Sequence, residues 1–386
     1  MNRVGQLGTL RFVTTHRPAE ETALSIPTRS RPTRVGVARK EASMSRIPVV
    51  LDVDTGIDDA LAILLALASP ELDVVGVTCV AGNVPIEQVV RNTLGVLALG
   101  GAGHIPVAIG AAAPLARRLT TATFFHGANG VGGVSLPAPV LAPTDEPADA
   151  FLVRMARHYR GELAIVGVGP ITNVARACRR DPTFADHIAR LVLMSGAATV
   201  PGNVTPAAEA NAYNDPEALA VVVEAFGLHG SETSRWGGAR FTMVGLDVTL
   251  QTLFPAQDHA ALAASLHVRS LIAQASHALL GPYIAADIAA GLTGSALHDP
   301  LAVDVLAHPE IVTAKAAKLD VETVGVHTRG ATVANLSGHV ELLVPHGDAD
   351  DCAGLVPVAP NCHVAVDVRS EEFVARYRTR LGLHAE

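Results

Sequence analysis

From residue 47 onward, short apolar runs with no polar alternation are interleaved with stretches of helical length. IPVVLDVD (47–54), LDVVGVTCV (72–80), IPVAIG (105–110), ELAIVGVG (162–169), ARLVLMSGA (189–197) and RFTMVGLDV (240–248) read as strands. DDALAILLALAS (58–69), EQVVRNTLGVLALGG (87–101), residues 147–160 and the stretch after Pro170 read as helices. Strands that are apolar throughout must be covered on both faces, and a helix between two of them lets both run in one direction. The pattern therefore predicts an α/β fold, a single large domain with a mostly parallel, Rossmann-like open sheet flanked by helices. In such sheets the active site lies at the carboxyl ends of the strands. The polar, Gly-containing stretches 227–239 and 345–353 read as surface loops, and no internal repeat is present.

Of the 386 residues, 49% are hydrophobic and 17% charged, which excludes a disordered chain or a disulfide scaffold. A net charge of −8 argues against nucleic acid as a partner. No uninterrupted apolar run of about 18 residues exists, so no membrane partner is expected. Cys79, Cys178, Cys352 and Cys362 are widely spaced, with no metal-binding pattern. Free thiols in a reducing, cytoplasmic setting are the expectation. Residues 1–43 differ from the rest, with seven Arg and one Lys against three Glu and no apolar period. A translation start at Met44, a disordered tail and a transit peptide all fit, although Glu20 and Glu21 count against the last. Residues 1–44 are expected to stand outside the domain, which spans 45–386.

The most informative stretch is LDVDTGIDDA, with Asp52, Asp54, Asp58 and Asp59 within eight residues. Asp52 and Asp54 share a face at a strand end, and Gly56 permits a tight turn into a helix that starts near Asp58 or Asp59. A helix cap accounts for one of these acids. Four converging carboxylates repel one another unless protonated or bridged by a cation. Oxygen-only ligands suit Ca²⁺ or Mg²⁺ rather than Zn²⁺.

LDVDTGIDDA resembles the DxDxGxDDAxA signature of the inosine–uridine preferring nucleoside hydrolases. Further blocks follow in that family's order: TCVAGNV (78–84), FHGANG (125–130), VGPITNVA (168–175), GNVTPAAEANAYNDPEA (202–218), LHDPLAV (297–303) and VHTRGATV (326–333). Each block alone is weak, whereas the ordered set is specific. The resemblance implies hydrolysis of the N-glycosidic bond of ribonucleosides, with Ca²⁺ as cofactor and a homodimer or homotetramer as the assembly. It also implies Asp54, Asp59, Asp299 and the main-chain carbonyl of Val168 as metal ligands, with Asp54 also activating water and Asp52 orienting the network. Asp58, Asn83, Asn203, Glu209 and Asn211 are carried over as ribose contacts. Glu209 and Asn211 are expected on one face of an extended segment, and Asp215 as a helix cap. His298 is the expected acid for the departing base. His126 is a second candidate near the base, and Met194 and Tyr283 are further pocket candidates, each with an ordinary core role as the alternative.

The chain departs from the pattern at Asn129 and Asn335, where the family usually has Asp. Residues 227–239, with Trp236, read as an insertion. The sequence leaves base preference open. With no aromatic cluster visible, His298 fits inosine–uridine or pyrimidine preference better than strict purine specificity. Two rival readings remain. One is a haloacid dehalogenase-type phosphatase with Asp52 as nucleophile and Asp348, Asp350 and Asp351 as its later acids. The other is a non-catalytic nucleoside- or ribose-binding homologue.

Overall fold

The computed structural model describes residues 46–227, 238–341 and 355–383. The N-terminal extension, most of the proposed insertion with Trp236, and the 345–353 loop with its acids lie outside the described residues. Six parallel strands come first: β1 (Ile47–Val53), β2 (Leu72–Cys79), β3 (Val107–Ile109), β4 (Leu163–Gly167), β5 (Ile188–Met194) and β6 (Phe241–Val244). Strands β7 (Leu253–Pro255) and β8 (Gly294–Ala296) form a small antiparallel ribbon. They are followed by β9 (Val312–Val321), β10 (Thr332–Asn335), a second ribbon of β11 (His339–Glu341) and β12 (Leu355–Pro357), and finally β13 (Cys362–Val368).

The main sheet has nine strands in the order β10-β9-β13-β6-β5-β4-β1-β2-β3. β13 pairs parallel to β6, and the antiparallel pair β9 and β10 closes that edge. From β1 the chain winds outward to β2 and β3, then returns to the other side of β1 to begin β4. Strand order thus reverses between β1 and β4, and a crevice opens beyond their carboxyl ends. Asp54 and Val168 each directly follow one of these two strands.

Alternation along the strands splits the core into two layers. Val49, Leu51 and Val53 pack with the helices Ile57–Ala68, Ile86–Leu99, Leu271–Ala289 and His298–Ala307. Val50 faces the opposite layer with Phe151, Val174 and Leu219, which lie on the helices Ala148–Tyr159, Thr172–Arg180 and Pro216–Gly227. The first helix is apolar almost all round, as a helix buried between the sheet and Pro300–Leu306 must be. Arg190 is fully buried on β5, and its guanidinium donates to Val305 O and Leu306 O at the carboxyl end of helix His298–Ala307. No helix among the described residues is long and apolar enough to cross a membrane.

One expected strand is shorter than its sequence suggested. RFTMVGLDV is extended only to Val244, because Gly245 starts the short helix Leu246–Thr249. The Asp247 carboxylate holds that turn by accepting from Ala198 N, Thr199 N and Thr199 Oγ1.

Candidate active site

The site is built from the turn between β1 and the first helix. Gly56 caps that helix, and Asp59 at its third position accepts from Gly56 N at 2.8 Å and Asp54 N at 3.0 Å. The loop after β2 crosses the same turn: Asn83 N donates to Asp54 Oδ2 at 2.7 Å, and Asn83 Nδ2 donates to Asp59 Oδ2 at 3.2 Å. Gly82 and Gly169 press their backbones against the Asp54 carboxylate so closely that a Cβ at either position would collide with it. Asp52, fully buried, accepts from Thr78 Oγ1 at 2.5 Å and Asn173 Nδ2 at 2.8 Å. Asn173 also bonds Cys79 O and receives Ala111 N–H, tying the ends of β1, β2 and β3 together.

Asp299, in the first turn of helix His298–Ala307, completes the cluster. One carboxylate oxygen from each of Asp58, Asp59 and Asp299 lies within 4.8 Å of the others. Two ionised carboxylates at that distance repel by about 3–4 kcal/mol at an effective dielectric near 20. A helix N-terminus returns only about 0.3–1 kcal/mol per carboxylate. Repulsion therefore wins. Burial, with the neighbouring acids adding to it, pushes the carboxyls of Asp54, Asp59 and Asp299 well above the ordinary range. Asp54 Oδ1 and Asp58 Oδ1 are buried with no hydrogen-bond partner among the described residues. Orphaned, mutually repelling oxygens with no soft donor fit a hard divalent cation.

Beside the cluster lies a cavity of about 470 Å³, within the range of small-molecule sites. Asp58, Asn83, Val168, Met194, Asn203, Glu209, Asn211 and Asp299 line one part of it. Asn211 Nδ2 donates to Val168 O at 2.7 Å and Met194 O at 3.0 Å, which fixes the carbonyl named above as a ligand candidate. The remaining wall holds His126, Tyr283, Asp287 and His298 among Phe124, Phe125, Leu250 and Leu292. Tyr283 Oη donates to Asp58 Oδ2 at 3.0 Å. His126 Nδ1 accepts from Ile57 N at 3.2 Å, so the ring is neutral with its proton on Nε2, and burial lowers its pKa in the same sense. His298 Nδ1 lies 2.7 Å from Thr249 Oγ1, and burial likewise lowers its pKa.

The family model for inosine–uridine preferring nucleoside hydrolases matches residues 49–375. The chain belongs to this family. The pyrimidine-specific ribonucleoside hydrolase RihA of Citrobacter koseri is 37% identical over 340 residues, covering 88% of this chain and 99% of that protein. A purine-preferring ribonucleoside hydrolase from Gardnerella vaginalis superposes with a TM-score of 0.74 at 34% identity, covering 87% of this chain and 98% of that one. A plant nucleoside hydrolase gives a TM-score of 0.75 at 33% identity, with 86% and 98% covered.

Within this nucleoside hydrolase, the residues carried over from the motifs gather in one place. Asp58, Asn83, His126, Val168, Met194, Asn203, Glu209, Asn211, Tyr283, His298 and Asp299 all line the cavity, while Asp52, Asp54 and Asp59 are buried in the turn that forms the cluster. Glu209 and Asn211 do not lie on an extended segment. Glu209 caps the short helix Ala210–Asn214, accepting from Asn211 N and Ala212 N as well as Gly196 N and Ser195 Oγ. Asp215 caps the next helix through Ala218 N.

Asn129 and Asn335 are turn residues. Each amide oxygen accepts backbone N–H groups, and each amide nitrogen donates to a backbone carbonyl, Val134 O and His339 O respectively, which an Asp could not do. The phosphatase reading fails because Asp52, its nucleophile, is sealed between Thr78 and Asn173 and does not reach the cavity. An aromatic group that the sequence did not reveal is also present. Phe125 meets Tyr283 edge-on at 5.5 Å and His126 at 5.2 Å, and His126 stacks over Tyr283 at 6.4 Å.

Proposed function

We propose that this chain hydrolyses the N-glycosidic bond of ribonucleosides to ribose and free base, with Ca²⁺ held by Asp54, Asp59, Asp299 and the Val168 carbonyl. The observation that carries this reading is the meeting of the Asp58, Asp59 and Asp299 oxygens beside a cavity of nucleoside dimensions. A Ca²⁺ ion there supplies charge compensation and acidifies a water for attack on the sugar.

The chain's own groups do the rest. Asp54 has Oδ2 committed to Asn83 N–H, so Oδ1 is the atom that takes the proton of the attacking water. Asp52 holds Asn173 and Thr78, and through them the strand ends that carry Asp54. Asn83 and Asn203 offer amide groups to the ribose hydroxyls, Asn211 offers its Oδ1, and Asp58, braced by Tyr283, offers an acceptor. Glu209 takes three donors on Oε2 and one on Oε1, so Oε1 keeps an acceptor position for a ribose hydroxyl. The buried carboxylates also favour the positive charge that spreads over the ribose as the bond breaks. His298 in its protonated form, with Nδ1 on Thr249, gives a proton to the departing base from Nε2, whereas neutral His126 offers its Nε2–H to the base as a hydrogen bond.

We place the enzyme in a reducing, cytoplasmic setting, in keeping with the free thiols of Cys79, Cys178 and Cys362, and in a homodimer or homotetramer. One assay tests the central claim. Inosine, uridine, cytidine and adenosine are each incubated with the protein, with and without a calcium chelator, and free base and reducing sugar are measured. Release from at least one nucleoside that stops in chelator and returns with Ca²⁺ is the expected result. Tight nucleoside binding with no base released over hours would establish the binding-protein reading instead.

A further inference from the structure

The helix Leu271–Ala289 carries a single carboxylate, Asp287, in a sequence that is otherwise apolar or neutral. It sits one turn beyond Tyr283 and lines the same cavity, yet it belongs neither to the acid cluster nor to any motif block. Its side chain is 4% exposed. Ala296 N donates to Oδ2 at 2.9 Å. A carboxylate offers about four acceptor positions, so capacity remains for a further donor. Leu250, Ala290 and Leu292 line the same cavity, and the Asp58 carboxylate and Tyr283 lie within electrostatic range of Asp287. Burial raises the carboxyl to about 6, against the pull of Ala296 N–H. A buried acceptor with capacity left over, facing the cavity, is costly unless a ligand supplies the missing donor.

Resting on the hydrolase reading above, we infer that Asp287 is a specificity-determining residue that accepts an N–H from the nucleobase and selects bases presenting a lactam N–H or an amino group. The ribose-side groups cannot make this distinction, because every ribonucleoside presents the same sugar. Of the polar groups on this wall, His126 and His298 present N–H groups to the base, so a base N–H is left to the carboxylate of Asp287.

The test compares inosine with purine riboside, which has the same ring system but neither lactam N–H nor amino group, and with p-nitrophenyl riboside, which has no base. Wild-type protein should favour inosine over purine riboside in kcat/KM by about tenfold to a hundredfold. In Asp287→Ala and in Asp287→Asn that ratio should collapse toward one, mainly through inosine, while p-nitrophenyl riboside is cleaved as before. The Asn variant keeps the shape and an acceptor for Ala296 N–H, so it guards against simple misfolding, and circular dichroism melting of both variants checks this. Equal losses on all three substrates, or an unchanged ratio in the Asn variant, would overturn the inference. A wild-type protein that releases base from none of inosine, uridine, cytidine and adenosine would instead defeat the hydrolase reading itself.

Discussion

The two halves of the cavity are built in opposite ways. The acid half comes from one unbroken stretch, residues 52–59, where strand, turn and helix start force four carboxylates into a small volume, with Asp299 added from a neighbouring helix. Its parts are rigidly cross-bonded and deeply buried. The opposite half brings together Phe124, Phe125 and His126 from the short helix Thr123–His126, Leu250 from just beyond the helix Leu246–Thr249, Tyr283 and Asp287 from a long helix, and His298. Phe124 is 89% exposed, whereas Asp59 is completely buried. On the proposed reading, chemistry that every nucleoside shares falls to the cross-bonded framework, and contact with the variable base to the more exposed wall. The relatives fit this division, since one is named pyrimidine-specific and another purine-preferring on the same fold.

The sharpest way to break this contrast is to strike the framework. Asp54→Ala or Asp59→Ala should abolish calcium binding and lower turnover by several orders of magnitude on every nucleoside alike, read by metal analysis and initial rates. Full activity in exhaustive chelator would remove calcium from the account. A smaller, substrate-dependent effect is expected from the other half. His298→Ala should slow inosine by about 10²–10⁴-fold while nearly sparing p-nitrophenyl riboside, whose phenolate leaves without a proton. Equal losses on both would mean that the ring merely supports its neighbour Asp299, and His126 would become the better donor.

Tyr283→Phe tests the link between the halves. Removing the hydroxyl that donates to Asp58 should cost about tenfold in kcat/KM, the range of one buried charge-assisted hydrogen bond. A change below twofold would show that Asp58 needs no such brace. Deleting residues 1–43 should do least, leaving melting temperature and turnover as they were. A fall of many degrees would show that the segment packs on the domain.

The same contrast governs how much the sequence revealed. The acid turn was legible because its residues are neighbours in the chain, and strand and helix geometry alone dictate where they point. The sheet was legible because β1, β2, β4 and β5 are apolar on both faces. The extended reading of Glu209 and Asn211 failed because a spacing of two cannot tell a strand from a cap followed by a helical turn, and the capping bonds decide it. RFTMVGLDV was read too long because Asp247 spends its carboxylate on backbone 50 residues away. The Phe125–His126–Tyr283 cluster spans more than 150 positions, and no periodicity connects them. Asp287 did leave a signal, a lone acid in an apolar helix, that could have been followed.

Gly82 and Gly169 contribute no reactive atom, yet they enclose the Asp54 carboxylate so tightly that neither position has room for a methyl group. Tolerance to mutation here therefore follows the shape of the cradle rather than the chemistry of the side chains. A side chain at either glycine would displace the aspartate it surrounds, so these two positions are as hard to replace as Asp54 itself.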